Sequence, residues 1–197
     1  ISTYLRSSAA LQGFFISATI FIMILITGNE NKAREFEEIL GFKINYRSLD
    51  LEEIQGVDVE EVSEYKVRKA YEIVKEPVVV EDIGLFFNEL NGLPGALIKW
   101  FEKRLSYNQI CDIIRKDRRA VAKICISYFD GKNLEQFVGE VQGEIALSPR
   151  GENGFGWDKI FIPNGFDKTF AEMNTSEKHS ISMRKIALDK LKEKLYD

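Results

Sequence analysis

The sequence predicts an α/β protein with a mixed β-sheet flanked by helices. Helix and strand patterns alternate over the first half of the chain, which is typical of parallel strands joined by helices. Two long runs of alternating polarity then flank the turn at residues 130–133, as expected of an antiparallel hairpin. The 197 residues are 45% hydrophobic and 29% charged, so a single domain of ordinary size can bury a core.

The elements of the first half follow from apolar runs and helical spacing. Apolar residues three and four apart continue to Leu40, and Gly41 is a typical stop signal. The run at 78–80 is apolar throughout, which indicates a strand covered on both faces. The predicted elements are a strand at 22–27, a helix ending at 40, a strand at 43–47, a helix at 59–74 and a strand at 78–80.

The second half contains helices, the hairpin and a loop-rich segment. Residues 91–95 combine Asn, Gly and Pro in a turn, and residues 148–169 hold four glycines and two prolines around a short apolar run. The predicted elements are helices at 97–104 and 107–115, strands at 122–128 and 134–144, and a lysine-rich helix at 182–195.

Composition excludes several classes of function. A net charge of -4 and a pI near 5.3 argue against a sequence-independent grip on nucleic acid polymers. The two cysteines, Cys111 and Cys125, are too sparse for a metal site, are predicted to be buried thiols and suit a reducing cytoplasm. His179 is the single histidine, which excludes a multi-histidine zinc site, and we predict that it lies in an exposed loop.

The N-terminal residues 1–22 are predicted to be an extension outside the catalytic fold, with a native start at Met23 and a single domain at 23–197. A signal peptide or membrane anchor is the alternative, because the chain is largely apolar from Phe14 to Ile26. Such an anchor would consume the first predicted strand. We therefore expect no membrane attachment.

A junction of loop and helix follows the first predicted strand. Backbone N–H groups at a helix start, together with the helix dipole, favour a bound phosphate, and Lys32 adds a positive charge. We predict a phosphate-binding loop, with an ordinary packed turn as the alternative. The residues concerned are Thr27, Gly28, Asn29, Glu30, Asn31 and Lys32.

Glu81 and Asp82 directly follow the apolar run at 78–80. Ligands of α/β proteins bind where strands end, and adjacent strand residues point to opposite faces, so only one of the two need face a ligand. Mg²⁺ on a phosphate needs one or two carboxylates, and Glu53 is a candidate partner for Asp82. A solvated acidic turn is the alternative.

Two further segments carry candidate binding residues. In Gly154–Asp158, glycine lets the backbone approach a ligand, an aromatic ring can stack on a base, and the acid can accept a hydrogen bond. Aromatic core residues beside a tight turn would give the same pattern. Lys178 and Arg184 lie near a predicted helix start, where a solvated basic surface is the alternative.

In order and composition these segments closely resemble the inosine triphosphate pyrophosphatase family, the Ham1-like proteins, from about Met23 to the C terminus. The resemblance implies an elongated mixed sheet in two lobes with a central active-site cleft, and a homodimer. The segments that carry it are Thr27-Gly28-Asn29 with Lys32, Val80-Glu81-Asp82, Gly92-Leu93-Pro94-Gly95 with Ile98-Lys99-Trp100-Phe101, Phe155-Gly156-Trp157-Asp158, and Thr169-Phe170-Ala171-Glu172-Met173.

The resemblance further implies Mg²⁺-dependent hydrolysis of inosine, deoxyinosine and xanthosine triphosphates to monophosphate and pyrophosphate, which would cleanse the nucleotide pool. It assigns catalysis to Asp82, the general base, with Lys32 and Lys66, and metal binding to Glu53 and Asp82. The substrate contacts it implies are Thr27, Gly28, Asn29, Glu30, Asn31, Lys32, Lys66, Asp82, Ile83, Lys99, Phe155, Gly156, Trp157, Asp158, Lys178, Met183 and Arg184.

Two positions depart from the family pattern. Met183 stands where the family usually has histidine and cannot donate its hydrogen bond to the base, and Ile83 replaces a small hydroxyl residue. Met183 bears on the selectivity for 6-oxopurines, and Ile83 bears on the positioning of substrate or metal. Two other functions stay open at this point: a purine-nucleotide-binding protein with impaired catalysis, and a Maf-like nucleotide pyrophosphatase with a different base preference.

Overall fold

The computed structural model describes residues 23–196, which form a seven-stranded mixed sheet with helices on both faces. The strands are β1 (Ile24–Ile26), β2 (Asn45–Arg47), β3 (Val78–Phe87), β4 (Pro94–Gly95), β5 (Arg119–Phe129), β6 (Leu134–Ile145) and β7 (Phe161–Pro163). The helices are α1 (Glu30–Leu40), α2 (Val59–Val74), α3 (Ile98–Arg104), α4 (Tyr107–Ile113), α5 (Thr175–Ile181) and α6 (Met183–Tyr196). The predicted α/β class is confirmed.

The sheet runs in the order β2-β1-β3-β5-β6-β7, with β4 paired to β3. The two neighbours of β1 are parallel to it, whereas β3, β5, β6 and β7 pair antiparallel. Pairing between β1 and β3 stops at Leu25 and Val79. β3 continues to Phe87, and β4 pairs only with its residues Leu85 and Phe86, so this edge of β3 has no paired strand from Val80 to Gly84.

The two faces of the sheet are covered by different helices. Val79 points with Leu25 into a core shared with α1 and α6, whereas Val78 and Val80 point with Ile24 into a second core beneath α2. This alternation follows from the period of two in a strand and explains the continuous apolar run at 78–80, because both faces are buried.

Two predicted local structures are wrong. Glu81 and Asp82 do not follow a strand but lie within it, because β5 pairs with every residue of β3 from Val78 to Phe87. The polar run at 174–180 is not a loop: α5 begins at the cap Asn174, whose side chain accepts a hydrogen bond from the N–H of Glu177 at 2.9 Å. Glu177 in turn accepts from the N–H of Asn174, a reciprocal capping box that the spacing Asn-x-x-Glu could have indicated.

The proposed N-terminal extension, residues 1–22, lies outside the described residues, as does most of the apolar stretch considered as an anchor. The last part of that stretch is β1. Within residues 23–196, no helix combines the length and the apolar character needed to cross a membrane. Cys111 and Cys125 are free and buried, which confirms their prediction as buried thiols.

Candidate functional site

A cavity of about 270 Å³ lies beside β3 where β1 has ended, and it adjoins a second cavity of about 480 Å³ at the loop before α1. Both cavities are lined by Asn29, Lys32, Glu53 and Lys66. The first extends to the loop at 155–158 and to the start of α6. The short β1 therefore leaves an opening between the elements that carry the predicted site residues.

One lysine is shared by the two predicted metal ligands. Lys66, on α2, places Nζ 3.0 Å from Oε1 of Glu53 and 2.9 Å from Oδ1 of Asp82. Lys99, on α3, also forms an ion pair with Glu53. Three elements that are distant in the sequence thus bring two carboxylates and two ammonium groups together.

These charges shift the pKa values of the cluster in different directions. Burial opposes ionisation of Glu53, but Lys99 and Lys66 together lower its pKa to about 2. Burial raises the pKa of Asp82 despite the contact with Lys66, since the ammonium is shared and Glu53 adds a like charge. Although burial also disfavours its charge, Asp82 and Glu53 raise the pKa of Lys66. Asp82 is therefore the more basic of the two carboxylates.

Glu81 anchors a second set of charges on the opposite face of β3, in which Glu81 and Arg184 are buried. Arg184 donates from Nε and Nη2 to both oxygens of Glu81, at 2.9 and 2.8 Å, and its Nη1 forms an ion pair with Glu35 of α1. Nζ of Lys32 lies 2.9 Å from Oε1 of Glu81. Only 1% of Arg184 and 5% of Glu81 are exposed. Burial opposes the charge of Glu81, but Arg184 and Lys32 hold its pKa well below the usual range.

Aromatic and polar groups meet at the far end of the first cavity. Asp158, which is 3% exposed, accepts hydrogen bonds at Oδ2 from the N–H of Phe155 at 2.8 Å and from Lys178 Nζ at 2.7 Å. The same ammonium lies 4.8 Å from the centre of the Phe155 ring. Gly156, with a φ of 61°, provides the left-handed turn that this loop requires. The loop thus holds a ring face and a buried acid side by side.

Part of the aromatic loop matches the alternative interpretation, in which its aromatic residues belong to the core. Trp157 is buried and packs edge-on against Phe161 with ring centres 5.8 Å apart, so it belongs to the core, while Phe155 is only partly buried. Burial raises the pKa of Asp158, although Lys178 opposes the shift. Phe155 is therefore the ring available to a ligand.

The start of α6 closes one wall of the cavity with an apolar side chain. Met183, 2% exposed, lines the cavity, as does Ile83. Gly139 allows this approach, since a Cβ there would overlap the carbonyl oxygen of Met183. The two residues that depart from the family pattern thus both lie at the candidate site.

In the loop before α1, backbone N–H groups that were expected to bind phosphate already donate hydrogen bonds to side chains. The side chain of Asn29 caps α1 and accepts from the N–H of Asn31 at 3.0 Å, and the Thr27 hydroxyl accepts from the N–H of Asn29 at 3.1 Å. Glu30 and Asn31 are exposed and line neither cavity, and their contact with substrate stays a prediction.

The remaining predicted residues are brought together. Thr27 and Gly28 line the second cavity. The first cavity is lined by Asn29, Lys32, Glu53, Lys66, Asp82, Ile83, Lys99, Phe155, Gly156, Trp157, Asp158, Lys178, Met183 and Arg184.

Two of the alternative interpretations are wrong, and so is the prediction for His179. The acid pair is not a solvated turn, and Lys178 and Arg184 are buried rather than a solvated surface, because each is compensated by a carboxylate. His179 is not in an exposed loop: it lies in α5 with 17% of its side chain exposed, between Glu35 and Glu38.

Sequence reasoning missed two acidic residues near the site. Glu35 follows Lys32 by three positions and Glu102 follows Lys99 by three, so each pair lies on one face of its helix. Glu35 pairs with Arg184, and Glu102 lines the first cavity. The helical spacing from a predicted lysine was the signal that could have identified both.

Comparisons with known proteins agree with this geometry. Residues 23–194 match the model of the Ham1 family. The chain is 43% identical over 185 residues to the inosine triphosphate pyrophosphatase of Scheffersomyces stipitis, covering 85% of this chain and 94% of that protein. It is 42% identical over 171 residues to the dITP/XTP pyrophosphatase of Thermococcus kodakarensis, covering 84% and 92%.

Solved structures show the same fold. The HAM1 protein of Coxiella burnetii superimposes with a TM-score of 0.79 and 28% identity, over 88% of this chain and 98% of that one. The Ham1 protein of Staphylococcus aureus gives 0.75 and 29%, over 88% and 97%. Sequence and fold agree over nearly all the described residues, and the chain belongs to the Ham1 family.

Proposed function

We propose that the protein hydrolyses inosine, deoxyinosine and xanthosine triphosphates to the nucleoside monophosphate and pyrophosphate. The names of its relatives, inosine triphosphate pyrophosphatase and dITP/XTP pyrophosphatase, support this reaction. The observation that carries the proposal is one cavity with a carboxylate–lysine cluster at one end and an available aromatic ring at the other. A nucleoside triphosphate has the matching arrangement of phosphates and base.

The base would stack on the ring of Phe155, with Lys178 and Asp158 beside it. The triphosphate would extend toward Lys32 and Lys66, which line both cavities. Positive groups along this path compensate the charge of the phosphates. Arg184 would act indirectly, because its guanidinium already forms ion pairs with Glu81 and Glu35.

Glu53 and Asp82 fit Mg²⁺, because carboxylate oxygens are its preferred protein ligands and one or two suffice when phosphates supply the others. The described residues contain no group of three or more His, Cys, Asp or Glu side chains arranged for a metal. This suits an ion that binds together with the nucleotide. Bound there, Mg²⁺ would neutralise phosphate charge and stabilise the leaving pyrophosphate.

Water would attack the α-phosphorus, and the bond from this phosphorus to the oxygen bridging the β-phosphorus would break. Asp82 would accept the proton from water, since its raised pKa makes it the better base of the two carboxylates. Lys66 would orient Asp82 and shield it from Glu53. The products are a monophosphate and pyrophosphate, and the proton lost from water balances the reaction.

Product analysis tests the proposal. The protein is incubated with Mg²⁺ and the triphosphates of inosine, xanthosine, deoxyinosine, adenosine and guanosine, and pyrophosphate is measured separately from phosphate. Release of pyrophosphate chiefly from the first three supports the proposal. Equal turnover of all five would refute the selectivity, and turnover of pyrimidine triphosphates in a matched panel would favour a Maf-like activity. Tight binding without turnover would indicate a nucleotide sensor.

We also propose that the protein is a cytoplasmic homodimer. The resemblance to the family is the basis for the dimer, and the two free, buried thiols suit a reducing compartment. Light scattering coupled to size exclusion tests the assembly, and a mass near the 22.6 kDa of one chain would refute it.

A further inference from the structure

The segment that carries Glu53 depends on other elements for its position. Residues 48–58, between β2 and α2, belong to no helix or strand. In the described part of the chain, no backbone-to-backbone hydrogen bond involves residues 49–56. Leu51 packs against the core beneath α2, and Ile54 packs against an apolar cluster that includes the first turn of that helix. Apolar contacts of this kind are not directional, so they bury the segment without orienting Glu53.

Gln55 joins this segment to α3 through one side-chain amide with two directed hydrogen bonds. Its Oε1 accepts from the indole Nε1–H of Trp100 at 2.7 Å, and its Nε2 donates to the backbone oxygen of Glu53 at 3.4 Å. The indole can only donate and the backbone oxygen can only accept, so one orientation of the amide satisfies both. The indole therefore acts on the main chain of Glu53 through Gln55.

Helix α3 and the residue before it in contact with the segment provide two further connections. The N–H of Ala96 donates to the backbone oxygen of Val57 at 2.8 Å. Gly95 permits this approach, since a Cβ there would overlap the same oxygen. Lys99 forms an ion pair with the carboxylate of Glu53. The segment therefore lies against α3 from Glu53 to Val57.

The indole N–H is the property of Trp100 that its position uses and that another aromatic residue could not supply. Trp100 is 40% exposed, and its ring centre lies 4.7 Å from Nζ of Lys103 and 5.5 Å from Nζ of Lys99. Phenylalanine would offer the same kind of ring face to these ammonium groups. It would not donate a hydrogen bond to Gln55.

The contact between Trp100 and Gln55 differs from the ion pairs of Glu53 in one respect. Lys66 and Lys99 line the first cavity, and under the proposed function a triphosphate competes with Glu53 for their ammonium groups. The indole and the amide are neutral groups that already satisfy each other. This contact can therefore hold the segment while the lysines engage phosphate.

We propose that Trp100 and Gln55 are positioning residues that hold Glu53 in the geometry needed to bind Mg²⁺ together with the nucleotide. This inference rests on the proposed function, which assigns Mg²⁺ to Glu53 and Asp82. Neither positioning residue takes part in the proposed chemistry. Loss of either should therefore raise the Mg²⁺ concentration required for half-maximal activity and leave kcat at saturating Mg²⁺ nearly unchanged.

The first test measures pyrophosphate release from inosine triphosphate against Mg²⁺ concentration in the wild type, Trp100→Phe, Gln55→Ala and the control Tyr46→Phe. Tyr46 lies on β2 and has a similar exposure of 46%. The half-maximal Mg²⁺ concentration is expected to rise about three- to tenfold in the first two variants, as for the loss of one hydrogen bond, and to stay unchanged in the control. Excess Mg²⁺ should restore their activity, which it would not do for a damaged fold.

The double variant of Trp100→Phe and Gln55→Ala tests whether the two residues form one connection. It is expected to match Gln55→Ala alone, because Trp100 acts on Glu53 only through Gln55. Effects of the two substitutions that multiply would overturn the inference. A Mg²⁺ dependence in both single variants equal to that of the active control would also overturn it.

Limited proteolysis follows the segment without any requirement for Mg²⁺, nucleotide or turnover. A glutamyl endopeptidase can cut after Glu52 and Glu53 when the segment opens, and mass spectrometry identifies the sites. Cleavage that is slow relative to closing follows the population of the open form, so the rate at these two sites is expected to rise about three- to tenfold in Trp100→Phe and Gln55→Ala. Rates at other glutamates should match the control.

The outcome of proteolysis separates this inference from the proposed reaction. Cleavage rates at Glu52 and Glu53 that equal those of Tyr46→Phe would overturn the positioning role, whatever the activity. Faster cleavage at these sites in a protein that releases no pyrophosphate from any triphosphate would support the positioning role and refute the proposed function.

Discussion

Asp82 and Glu53 share the ammonium of Lys66, yet the two carboxylates have different proton affinities, because burial raises the pKa of Asp82 and Glu53 has a second lysine partner. The proposed mechanism assigns the proton of the attacking water to Asp82. We expect Asp82→Asn to reduce kcat by at least about 100-fold, the lower range for loss of a general base. Thermal unfolding should show an intact fold, and normal turnover of the folded variant would remove Asp82 from the mechanism.

The buried pair of Glu81 and Arg184 is expected to stabilise the fold in a manner that depends on pH. Removing one partner of such a pair costs about 3–5 kcal/mol, so Glu81→Gln should lower the free energy of unfolding by that amount at pH 7. Because the folded pKa of Glu81 lies below the unfolded value, its contribution is fully present above the unfolded pKa of about 4. It decreases progressively as pH falls from there through the folded pKa.

Urea unfolding of the wild type and Glu81→Gln at pH 7 and at about pH 3 checks this expectation. The difference between their free energies of unfolding should be smaller at the lower pH. The matched control is Glu76→Gln, since Glu76 and its partner Arg47 are each about half exposed at a distance of 3.4 Å. An exposed pair of this kind contributes about 0–1 kcal/mol. A difference in free energy of unfolding that stayed constant with pH would contradict the role of the Glu81 charge.

At the scale of elements, contact between α6 and β6 positions one wall of the site. Gly139→Ala would place a methyl group against the backbone of Met183, so α6 must shift. Overpacking of this kind costs about 1–3 kcal/mol. We expect a lower Tm and a higher KM for inosine triphosphate, measured beside Glu140→Ala, an adjacent residue that is about half exposed. An unchanged Tm would show that α6 does not constrain this strand.

Most elements could be predicted from sequence because their apolar periodicity reports local burial. The extension of β3 through Glu81 is an exception because the partners of this buried charge are distant in the sequence. The helix α5 is an exception of another kind, since its capping box between Asn174 and Glu177 is local. Glu81 tolerates burial because Arg184, 103 residues later, and Lys32 neutralise it. Motifs identified individual site residues, whereas the contact of Lys66 with both Glu53 and Asp82 required the fold.

At the scale of the whole molecule, the match to the Ham1 family begins at Met23. We propose that residues 23–197 form the catalytic domain. A chain starting at Met23 is therefore expected to keep kcat/KM within about twofold of the full chain and to show the same Tm, since the ΔΔG of a neutral surface change is within about 0.5 kcal/mol. A loss of activity or stability on this truncation would assign a structural role to residues 1–22.

The difference in length between neighbouring strands has a consequence for how such a protein can change. β1 has three residues and β3 has ten, and the candidate site occupies the space that a longer β1 would fill. Two more paired residues in β1 would lengthen the backbone ladder along β3, but they would displace the loop at Thr27–Lys32 from the lysines and acids it adjoins. The site therefore lies where the fold could otherwise have formed additional β-sheet.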